Sequence, residues 1–482
     1  MSHIFKWLKQ NGLRFKEAIV DCCYIGIDLG STTTKAVFLD EHENILGRGI
    51  TNSRSNYELA CQVAREEAEI NTRFSLLRKN LGSDETIGNV SHKLMEYLWS
   101  QYALAQHLKQ LESLSLICNE IVDGWNHDQE KIPRFIDAVN GIFNSMVLQA
   151  NADFIPGSKV ASDFFRDIAT SQFLSRAEVS SKNNKLSFDR LVGIFDAAII
   201  KVESQSFAVF YEDYLDFASE KVISLQEFKA FKLQIRKAVK DIAKKEFNIL
   251  NTVGTGYGRL TLPFTKEQIR SEILCHGLGA HYMFPDTRTV LDIGGQDTKA
   301  IQVDANGIVT GFQMNDRCAA GCGRYLGYIA DEMNMGVHQL GPLAMQSTKN
   351  VKINSTCTVF AGAELRERLA FGEKREDILA GLHRAIILRA MSLLARSGGI
   401  DSEFTFTGGV ARNEAATSAL EKLVEENYGK MKINISADSI YTGAVGAALF
   451  AKRDPKGVMA DLEISKLKTK KKKVARMGER IA

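Results

Sequence analysis

Two segments of the chain match each other without a gap: Tyr24-Ile-Gly-Ile-Asp28-Leu-Gly30-Ser-Thr-Thr-Thr34-Lys35-Ala36 and Val290-Leu-Asp292-Ile-Gly294-Gly295-Gln296-Asp297-Thr298-Lys299-Ala300. Seven identical residues lie in register, each pair 264 positions apart. They are Asp28 and Asp292, Gly30 and Gly294, Thr34 and Thr298, Lys35 and Lys299, Ala36 and Ala300, Asp40 and Asp304, and Gly47 and Gly311. Each copy has the pattern of an apolar strand, a glycine-containing turn, a second strand, a polar turn and a third strand. The sequence therefore predicts that one β-meander occurs twice.

Each copy contains an Asp-x-Gly turn, and two such turns facing each other across a cleft would have a chemical use. Glycine lets backbone N–H groups approach a phosphate closely. The two aspartates, Asp28 and Asp292, are suited to hold Mg²⁺ through water or to position an attacking water. The alternative is a pair of ordinary hairpin turns with surface carboxylates. No Gly-x-x-x-x-Gly-Lys-Ser/Thr pattern occurs in the sequence, which excludes a P-loop nucleotide site.

Length and composition indicate a large globular chain with more than one core. The chain has 482 residues, of which 45% are hydrophobic and 25% charged. At roughly 100–200 residues per domain, this length predicts two to four domains or lobes. The net charge is +3, but residues 465–482 contain eight Lys or Arg and one Glu, which leaves −4 on the rest of the chain. A mildly acidic body argues against nucleic-acid binding by the folded surface.

The expected location is the cytoplasm. The first 50 residues lack the layout of a secretory signal, and no 18-residue apolar run capable of spanning a membrane is evident in the sequence. In a reducing compartment the eight cysteines are expected to pack in cores or bind metal rather than form disulfides.

The duplicated segments resemble the two phosphate motifs of the actin/Hsp70/sugar-kinase ATPase superfamily, and Phe406-Thr-Gly408-Gly409-Val-Ala-Arg412-Asn413 resembles its adenosine motif. The resemblance implies an α/β fold of two related lobes with ATP and Mg²⁺ between them. It implies that Asp28 and Asp292 organise Mg²⁺ and the attacking water, with Gln296 or Asp297 as alternative water-positioning residues. The implied phosphate contacts are Gly30, Ser31, Thr32, Thr33, Gly294 and Gly295, and the implied adenine contacts are Gly408 and Gly409. Lys35 and Lys299 are either phosphate ligands or salt-bridge residues.

Two cysteines are predicted to lie at helix N-termini. Cys318 precedes a helical pattern that continues through Met333, and Cys357 lies in the first turn of a predicted helix that continues through Leu369. A helix N-terminus lowers a thiol pKa and favours an anionic sulfur-rich cluster. An iron–sulfur cubane usually has four thiolate ligands. A cluster shared by two subunits, with Cys318 and Cys357 from each, would satisfy that number; the alternative is that both are packed in cores.

These cysteine segments resemble those of the ATPase activators of 2-hydroxyacyl-CoA dehydratases and of the ATPase subunits of ATP-dependent benzoyl-CoA reductases. The resemblance implies a [4Fe-4S] cluster bridging two ATPase subunits through Cys318 and Cys357. Cys322 departs from the family pattern and is either an auxiliary ligand or a packed residue. Glu272, Cys275 and His276 do not share one helix face, so a structural role is expected for them rather than metal binding.

The middle of the chain is predicted to be a helical insertion. Residues 58–246 contain only 6 of the 37 glycines, and their apolar residues recur at three- and four-residue spacing. The predicted organisation is an N-terminal extension at 1–22, the first lobe at 23–57 and 247–284, the insertion at 58–246, the second lobe at 285–452 and a basic tail at 453–482. The insertion is expected either to dock partner proteins or to stabilise the lobe.

The function predicted from these features is that of an ATP-hydrolysing subunit that activates electrons. The resemblance implies that it passes low-potential electrons from a ferredoxin-type donor, through the shared cluster, to catalytic subunits that reduce an aromatic acyl-CoA such as benzoyl-CoA. The second ATPase subunit is either another copy of this chain or a related chain. One alternative is an activator of a 2-hydroxyacyl-CoA dehydratase, and another is a small-molecule kinase without a cluster. A chaperone is the weakest option, because only 30 residues follow Lys452.

Overall fold

The fold contains two β-sheets and fourteen α-helices within the described residues of a computed structural model. Those residues are 21–53, 56–125, 129–157, 164–260, 264–315, 322–333, 335–349, 351–353 and 358–456. The predicted α/β architecture is confirmed in these residues: a β-meander occurs twice, and a mainly helical segment is inserted after the first copy.

The first lobe is built on a four-stranded sheet with the strand order β3-β2-β1-β4. Its strands are β1 (Asp21–Leu29), β2 (Thr33–Leu39), β3 (Ile45–Asn52) and β4 (Phe247–Thr255). The first three strands form an antiparallel meander, and β4 returns after the insertion to pair in parallel with β1.

The second lobe repeats this arrangement in a five-stranded sheet with the order β7-β6-β5-β8-β9. Its strands are β5 (Thr289–Ile293), β6 (Thr298–Val303), β7 (Val309–Asn315), β8 (Phe404–Thr407) and β9 (Ile433–Ile435). The strands β5, β6 and β7 form the second meander, and β8 pairs in parallel with β5 as β4 does with β1.

The two meanders agree in register down to their irregularities. Asp28 lies opposite Lys35 across β1 and β2, and Asp292 lies opposite Lys299 across β5 and β6. The pairing of β2 with β3 shifts between residues 38 and 39, and the pairing of β6 with β7 shifts between 302 and 303. These positions are again 264 residues apart, so the predicted duplication extends to a shared β-bulge.

Among the described residues, seven α-helices lie between β3 and β4, where the insertion was predicted. They are α1 (Tyr57–Gly82), α2 (Ser91–Asp123), α3 (Ile132–Asp153), α4 (Phe165–Asn184), α5 (Phe188–Glu203), α6 (Tyr211–Ser224) and α7 (Lys232–Ala243). Two separate apolar cores hold them together: one involves α1, α6 and α7, and the other α3, α4 and α5. The 33-residue helix α2 contributes to both cores and therefore joins the two halves of the insertion.

Two crossing helices connect the lobes. They are α8 (Glu272–Met283), which packs on the strands of the second meander, and the C-terminal α14 (Thr442–Arg453), which packs on the first sheet. Gly26 of β1 faces the backbone of α14, and an added Cβ would overlap Ala444 and Ala448. The sheet and the helix therefore approach more closely than larger side chains would allow.

The helices that complete the second lobe cover its sheet and core. They are α9 (Gly323–Glu332), α10 (Val337–Ala344), α11 (Thr358–Ala370), α12 (Arg375–Ser397) and α13 (Glu414–Tyr428). Within the described residues, α12 has the length and composition of a membrane span, a feature missed in the sequence. Most of that apolar stretch is buried, and its residues belong to the core of the second lobe.

Candidate active site

The first phosphate turn, residues 30–33, connects β1 to β2 and is held in shape by Ser53. The Ser53 N–H donates to the carbonyl oxygen of Thr32 at 2.9 Å, and its hydroxyl donates to that of Gly30 at 2.5 Å. The same hydroxyl lies 2.9 Å from Thr34 Oγ1. Ser31, Thr32 and Thr33 remain partly or fully exposed, which leaves their polar groups accessible to a ligand.

The second phosphate turn connects β5 to β6 and is bound to the start of α9. Within the turn, the Gly294 N–H donates to the Asp297 carbonyl oxygen at 3.0 Å. The N–H groups of Gly323 and Arg324 donate to the carbonyl oxygens of Gly294 at 2.8 Å and Gly295 at 2.7 Å. The first turn of α9 thus directs two N–H groups, which have no partner within the helix, at this turn.

The two turns face each other across one cleft. A Cβ built on Gly295 would overlap the side chain of Thr32, so glycine allows the turns to meet. Gln296 is partly exposed in the second turn. The two Asp-x-Gly turns therefore lie against each other, as expected from the duplication, and are not two separate surface hairpins.

Asp28 is buried behind the first turn and has an unused carboxylate oxygen. Its side chain is 2% exposed, and Oδ1 has no hydrogen-bond partner among the described residues. Oδ2 lies 3.5 Å from Lys35 Nζ. A Cβ on Gly256, which has φ +91°, would come within 2.7 Å of Oδ1. A free carboxylate oxygen beside glycine backbone suits a hydrated Mg²⁺, since this ion usually keeps several waters and binds one or two carboxylates.

Lys35 reaches towards the place expected for a phosphate. A Cβ on Gly30 would lie 3.3 Å from Lys35 Nζ, so the ammonium group borders the first turn. The lysine has a single carboxylate partner, Asp28, among the described residues, and it retains some exposure. Its position is therefore compatible with both a salt bridge and a phosphate contact.

Asp292, the repeat partner of Asp28, is also 2% exposed but has partners on both oxygens. Thr407 donates a hydrogen bond to Oδ1 at 2.8 Å, and His276 Nδ1 lies 3.4 Å from the same oxygen. Lys299 Nζ lies 3.3 Å from Oδ2. Burial alone would raise the pKa of Asp292, but the positive charges of His276 and Lys299 outweigh it and hold that pKa well below its usual range.

Lys299 is buried among three carboxylates. Its Nζ lies 2.9 Å from Glu272 Oε1 and 2.9 Å from Asp297 Oδ1, in addition to Asp292. Burial would lower the pKa of Lys299, yet the three acids raise it well above its usual range. Burial raises the pKa of Asp297. For Glu272, burial would raise the pKa, but the positive charges of Lys299 and His276 outweigh this effect, so the pKa of Glu272 is lowered. Lys299 is therefore a salt-bridge residue in this conformation, unlike its repeat partner.

Glu272 and His276 belong to this site although no sequence pattern placed them there. Burial would lower the pKa of His276, but Asp292 raises it. Neither residue finds its main partners on its own helix, because Lys299 and Asp292 come from β6 and β5. The structural role expected for the pair is thus a contact with the phosphate-motif residues of the second lobe.

The predicted adenosine motif follows β8 at the end of that strand. Gly408 has φ +88°, and a Cβ there would overlap the backbone of Ile293, so this turn requires glycine. Gly409 is exposed with open space beside it. Thr407, the residue before the turn, makes the hydrogen bond to Asp292. This open glycine turn therefore lies next to Asp292 at the end of β8.

The predicted cluster ligands, Cys318 and Cys357, lie outside the described residues. Both predicted helices are present: α9 begins at Gly323, after Cys318, and the described part of the helix predicted to hold Cys357 in its first turn, α11, begins at Thr358. Cys322 is buried immediately before α9. Within the described parts of the chain, no group of three or more His, Cys, Asp or Glu side chains is arranged to hold a metal ion.

Three other cysteines behave as core residues. Burial raises the pKa of Cys61, Cys118 and Cys275 to about 12. A thiol with so high a pKa is a poor metal ligand, because the thiolate is the binding form. These three are therefore packed residues.

A cavity of about 480 Å³ lies where the insertion meets the ATPase body. Its lining includes Trp99 and Glu66 from the insertion, Asn52 from β3, and Arg412 and Asp438 from the second half of the chain. The insertion is thus packed beside the segment that carries the predicted adenosine motif rather than projecting freely.

The duplicated sheets, the facing turns and the glycine turn after β8 define a two-lobed ATPase. Residues 25–451 match the BadF/BadG/BcrA/BcrD ATPase family, and the chain belongs to that family.

Individual relatives include activators and one component of a reductase. The (R)-2-hydroxyglutaryl-CoA dehydratase activating ATPase of Acidaminococcus fermentans is 43% identical over 217 residues, which are 45% of this chain and 81% of the relative. One of the subunits of benzoyl-CoA reductase from Thauera aromatica is 33% identical over 175 residues, 36% of this chain and 62% of the relative. The crystal structure of the A. fermentans dehydratase component A superposes with a TM-score of 0.47 at 24% identity, covering 90% of this chain and 99% of that chain.

Proposed function

We propose that this chain is an electron-activating ATPase that uses ATP hydrolysis to deliver low-potential electrons to a partner acting on an acyl-CoA. The observation that carries the proposal is the direct contact between the second phosphate turn and α9. The carbonyl oxygens of Gly294 and Gly295 accept hydrogen bonds from the first residues of a helix that starts five positions after Cys318. A change at the phosphate turn would therefore be transmitted to the segment containing a predicted cluster ligand.

The cleft provides the groups that ATP hydrolysis requires. Asp28, with its free Oδ1, would hold hydrated Mg²⁺, and Lys35 together with residues 30–33 would contact phosphate. Asp292 would act from the opposite lobe, where Thr407 and Lys299 fix its orientation. Bound Mg²⁺ neutralises the charge that develops on the transferred phosphoryl group. Gln296, partly exposed in its turn, is better placed to orient water than Asp297, which is paired with Lys299.

The electron-transfer part of the proposal rests on the cysteines. Cys318 and Cys357 from each of two ATPase chains would together supply the four thiolates of a [4Fe-4S] cluster, which carries one electron at a low potential. The partner ATPase would be a second copy of this chain or a related chain. A ferredoxin-type donor would supply the electron, and the assembly would operate in the cytoplasm.

Two acyl-CoA partners fit the family. The relative named as a dehydratase activator matches at higher identity than the benzoyl-CoA reductase relative, 43% against 33%. This difference favours a 2-hydroxyacyl-CoA dehydratase as the partner. The benzoyl-CoA reductase hypothesis, which the long insertion suggested from the sequence, is the second candidate.

Anaerobic purification with iron, sulfide and ATPase measurements tests the proposal. The wild-type protein should be coloured, contain iron and sulfide, and hydrolyse ATP. Cys357→Ser should abolish the visible cluster absorbance, whereas Cys118→Ser, in the core of the insertion, should retain it. An iron-free protein that hydrolyses ATP, or that phosphorylates an added small molecule, would contradict the redox function and favour a kinase.

A further inference from the structure

Helix α8 carries His276 through the contact between the two lobes. The helix crosses α14 with almost no side-chain space between them, because a Cβ on Gly279 would overlap the backbone of Thr442 and one on Gly446 would overlap that of Cys275. His276 is buried beside this crossing, with 6% exposure. Its position is therefore fixed relative to both lobes by backbone contacts rather than by flexible side chains.

The imidazole of His276 lies between the aspartates of the two phosphate motifs. Nδ1 is 3.4 Å from Asp292 Oδ1 of the second lobe, without the alignment of a formed hydrogen bond. On the other side of the ring, a Cβ added to Gly443 would lie 2.8 Å from His276 Nε2 and 2.9 Å from Asp28 Oδ2 of the first lobe. Gly443 therefore lies beside both groups, and any side chain there would press on the ring and on Asp28; the two make no direct hydrogen bond or ion pair within the described residues.

From this arrangement, we propose that His276 is a positioning residue that sets the separation of Asp28 and Asp292 across the cleft. The inference rests on the proposed ATP hydrolysis and adds a residue that the phosphate motifs do not contain. Glu272 does not hold the ring by itself, since its Oε1 lies 4.0 Å from Nε2, beyond hydrogen-bond distance.

Asp292 has more hydrogen-bond and ion-pair partners than Asp28, so His276 should matter most for the position of Asp28 relative to Asp292. Asp292 is fixed by Thr407 and Lys299 even without the histidine. Asp28 has the single ion pair to Lys35 at 3.5 Å, and its Oδ1 is unpaired within the described residues. His276 is the group from α8 that lies between the two carboxylates: it is 3.4 Å from Asp292 Oδ1, and it is separated from Asp28 by the space beside Gly443, without a direct contact. Without it, the spacing that a shared hydrated Mg²⁺ requires would no longer be enforced.

The test compares His276→Ala with His276→Asn and His276→Gln in the full-length protein, and uses His281→Ala as a control on the same helix. The amide nitrogen of asparagine replaces Nδ1, and that of glutamine replaces Nε2. His281 instead contacts the carbonyl oxygen of Ala305, away from the aspartates. The measurements are kcat, KM for ATP, the Mg²⁺ concentration for half-maximal activity, the ATP Kd in EDTA, and the thermal midpoint.

We expect His276→Ala to lower kcat by about 10- to 100-fold and to raise the Mg²⁺ requirement, as the loss of a group that orients metal ligands does. The ATP Kd in EDTA should stay unchanged, since the phosphate turns remain. The asparagine and glutamine variants should each recover part of the loss, because each returns a polar nitrogen to the position of one of the two ring nitrogens. His281→Ala should behave as wild type.

Wild-type kcat and Mg²⁺ requirement in His276→Ala would overturn the inference. So would a variant that loses ATP binding in EDTA together with thermal stability, because that result describes a merely structural histidine. If His276→Ala does not fold, Gly443→Ala provides the second measurement: its methyl group would separate His276 from Asp28, and the same change in Mg²⁺ requirement is expected. If wild-type protein hydrolyses no ATP, the proposed function itself fails, a result distinct from equal activities of wild type and variant.

Discussion

Lys299→Met tests whether the second copy of the Asp–Lys pair has become a structural charge cluster. The substitution removes the positive charge that lies within 3.3 Å of Asp292, Glu272 and Asp297. Removing one partner of a buried ion pair costs about 3–5 kcal/mol, because the remaining charge is left uncompensated. Three carboxylates would be left here, so we expect the free energy of unfolding to fall by at least about 3 kcal/mol.

The matched control is Lys35→Met at the equivalent position of the first copy. Lys35 has a single carboxylate partner among the described residues, the buried Asp28, at 3.5 Å. Its removal leaves one buried carboxylate without its lysine instead of three, so the loss of stability should be smaller than that of Lys299→Met. The same change should weaken ATP binding, because Lys35 Nζ borders the first phosphate turn.

The stability difference between wild type and Lys299→Met should depend on pH. In wild type, His276 and Lys299 outweigh burial and hold the pKa of Asp292 low, so this carboxylate stabilises the fold above its unfolded pKa and loses that contribution as the pH falls. In Lys299→Met the three carboxylates should have raised pKa values, so protonation should relieve their repulsion. The stability gap between wild type and variant should therefore shrink as the pH is lowered from 7 to about 5.

Thermal and urea unfolding of both variants across this pH range would measure the effect. Equal destabilisation by the two substitutions would refute the argument that the duplicated pairs have diverged. A gap that stays constant or widens at low pH would refute the assignment of the loss to unpaired carboxylates.

Three further predictions concern the cleft and the insertion. Asp28→Asn should retain ATP binding in EDTA but lower Mg²⁺-dependent turnover by about 100-fold or more, as measured by phosphate release, because the free carboxylate oxygen is lost. Gly295→Ala should push the two turns apart and weaken ATP binding, as measured by calorimetry. Adding Thr32→Gly to that variant should partly restore binding. The control Gly141→Ala should have no effect, because there is open space around Gly141. If the insertion docks the partner protein, replacing residues 114–204 by a short linker should keep ATPase activity but abolish co-purification of that partner. The cut ends are adjacent, because the side chains of Ser113 and Gln205 lie 3.1 Å apart.

The sequence was sufficient to predict the fold because the duplication is recorded in identical residues. The matching residues form the same cross-strand pair in both sheets: Asp28 lies opposite Lys35, and Asp292 lies opposite Lys299. The facing of the two phosphate turns also followed from their repetition and the superfamily resemblance. The depletion of glycine correctly indicated a helical insertion, since glycine disfavours helix interiors.

The different environments of the repeated residues could not be predicted in the same way. Lys35 and Lys299 occupy equivalent positions, but Glu272 reaches only the second lysine because α8 packs on the second meander. His276 was missed for a related reason: spacing along one helix reports which residues share a face, whereas its partners come from strands far away in the chain. Local patterns specify elements, and tertiary packing decides which charges meet.

The divergence of the two copies suggests how a symmetric cleft can perform an asymmetric reaction. In the second lobe, Asp292 is held by Thr407 and Lys299, so its position should vary little during turnover. In the first lobe, Asp28 keeps an unused oxygen and a single long ion pair, so it can adjust to a bound ion. The rigid side is also the one whose turn is hydrogen-bonded to α9. Movement of this rigid side would therefore carry the second phosphate turn and α9 together, and with them the segment before α9 that contains Cys318.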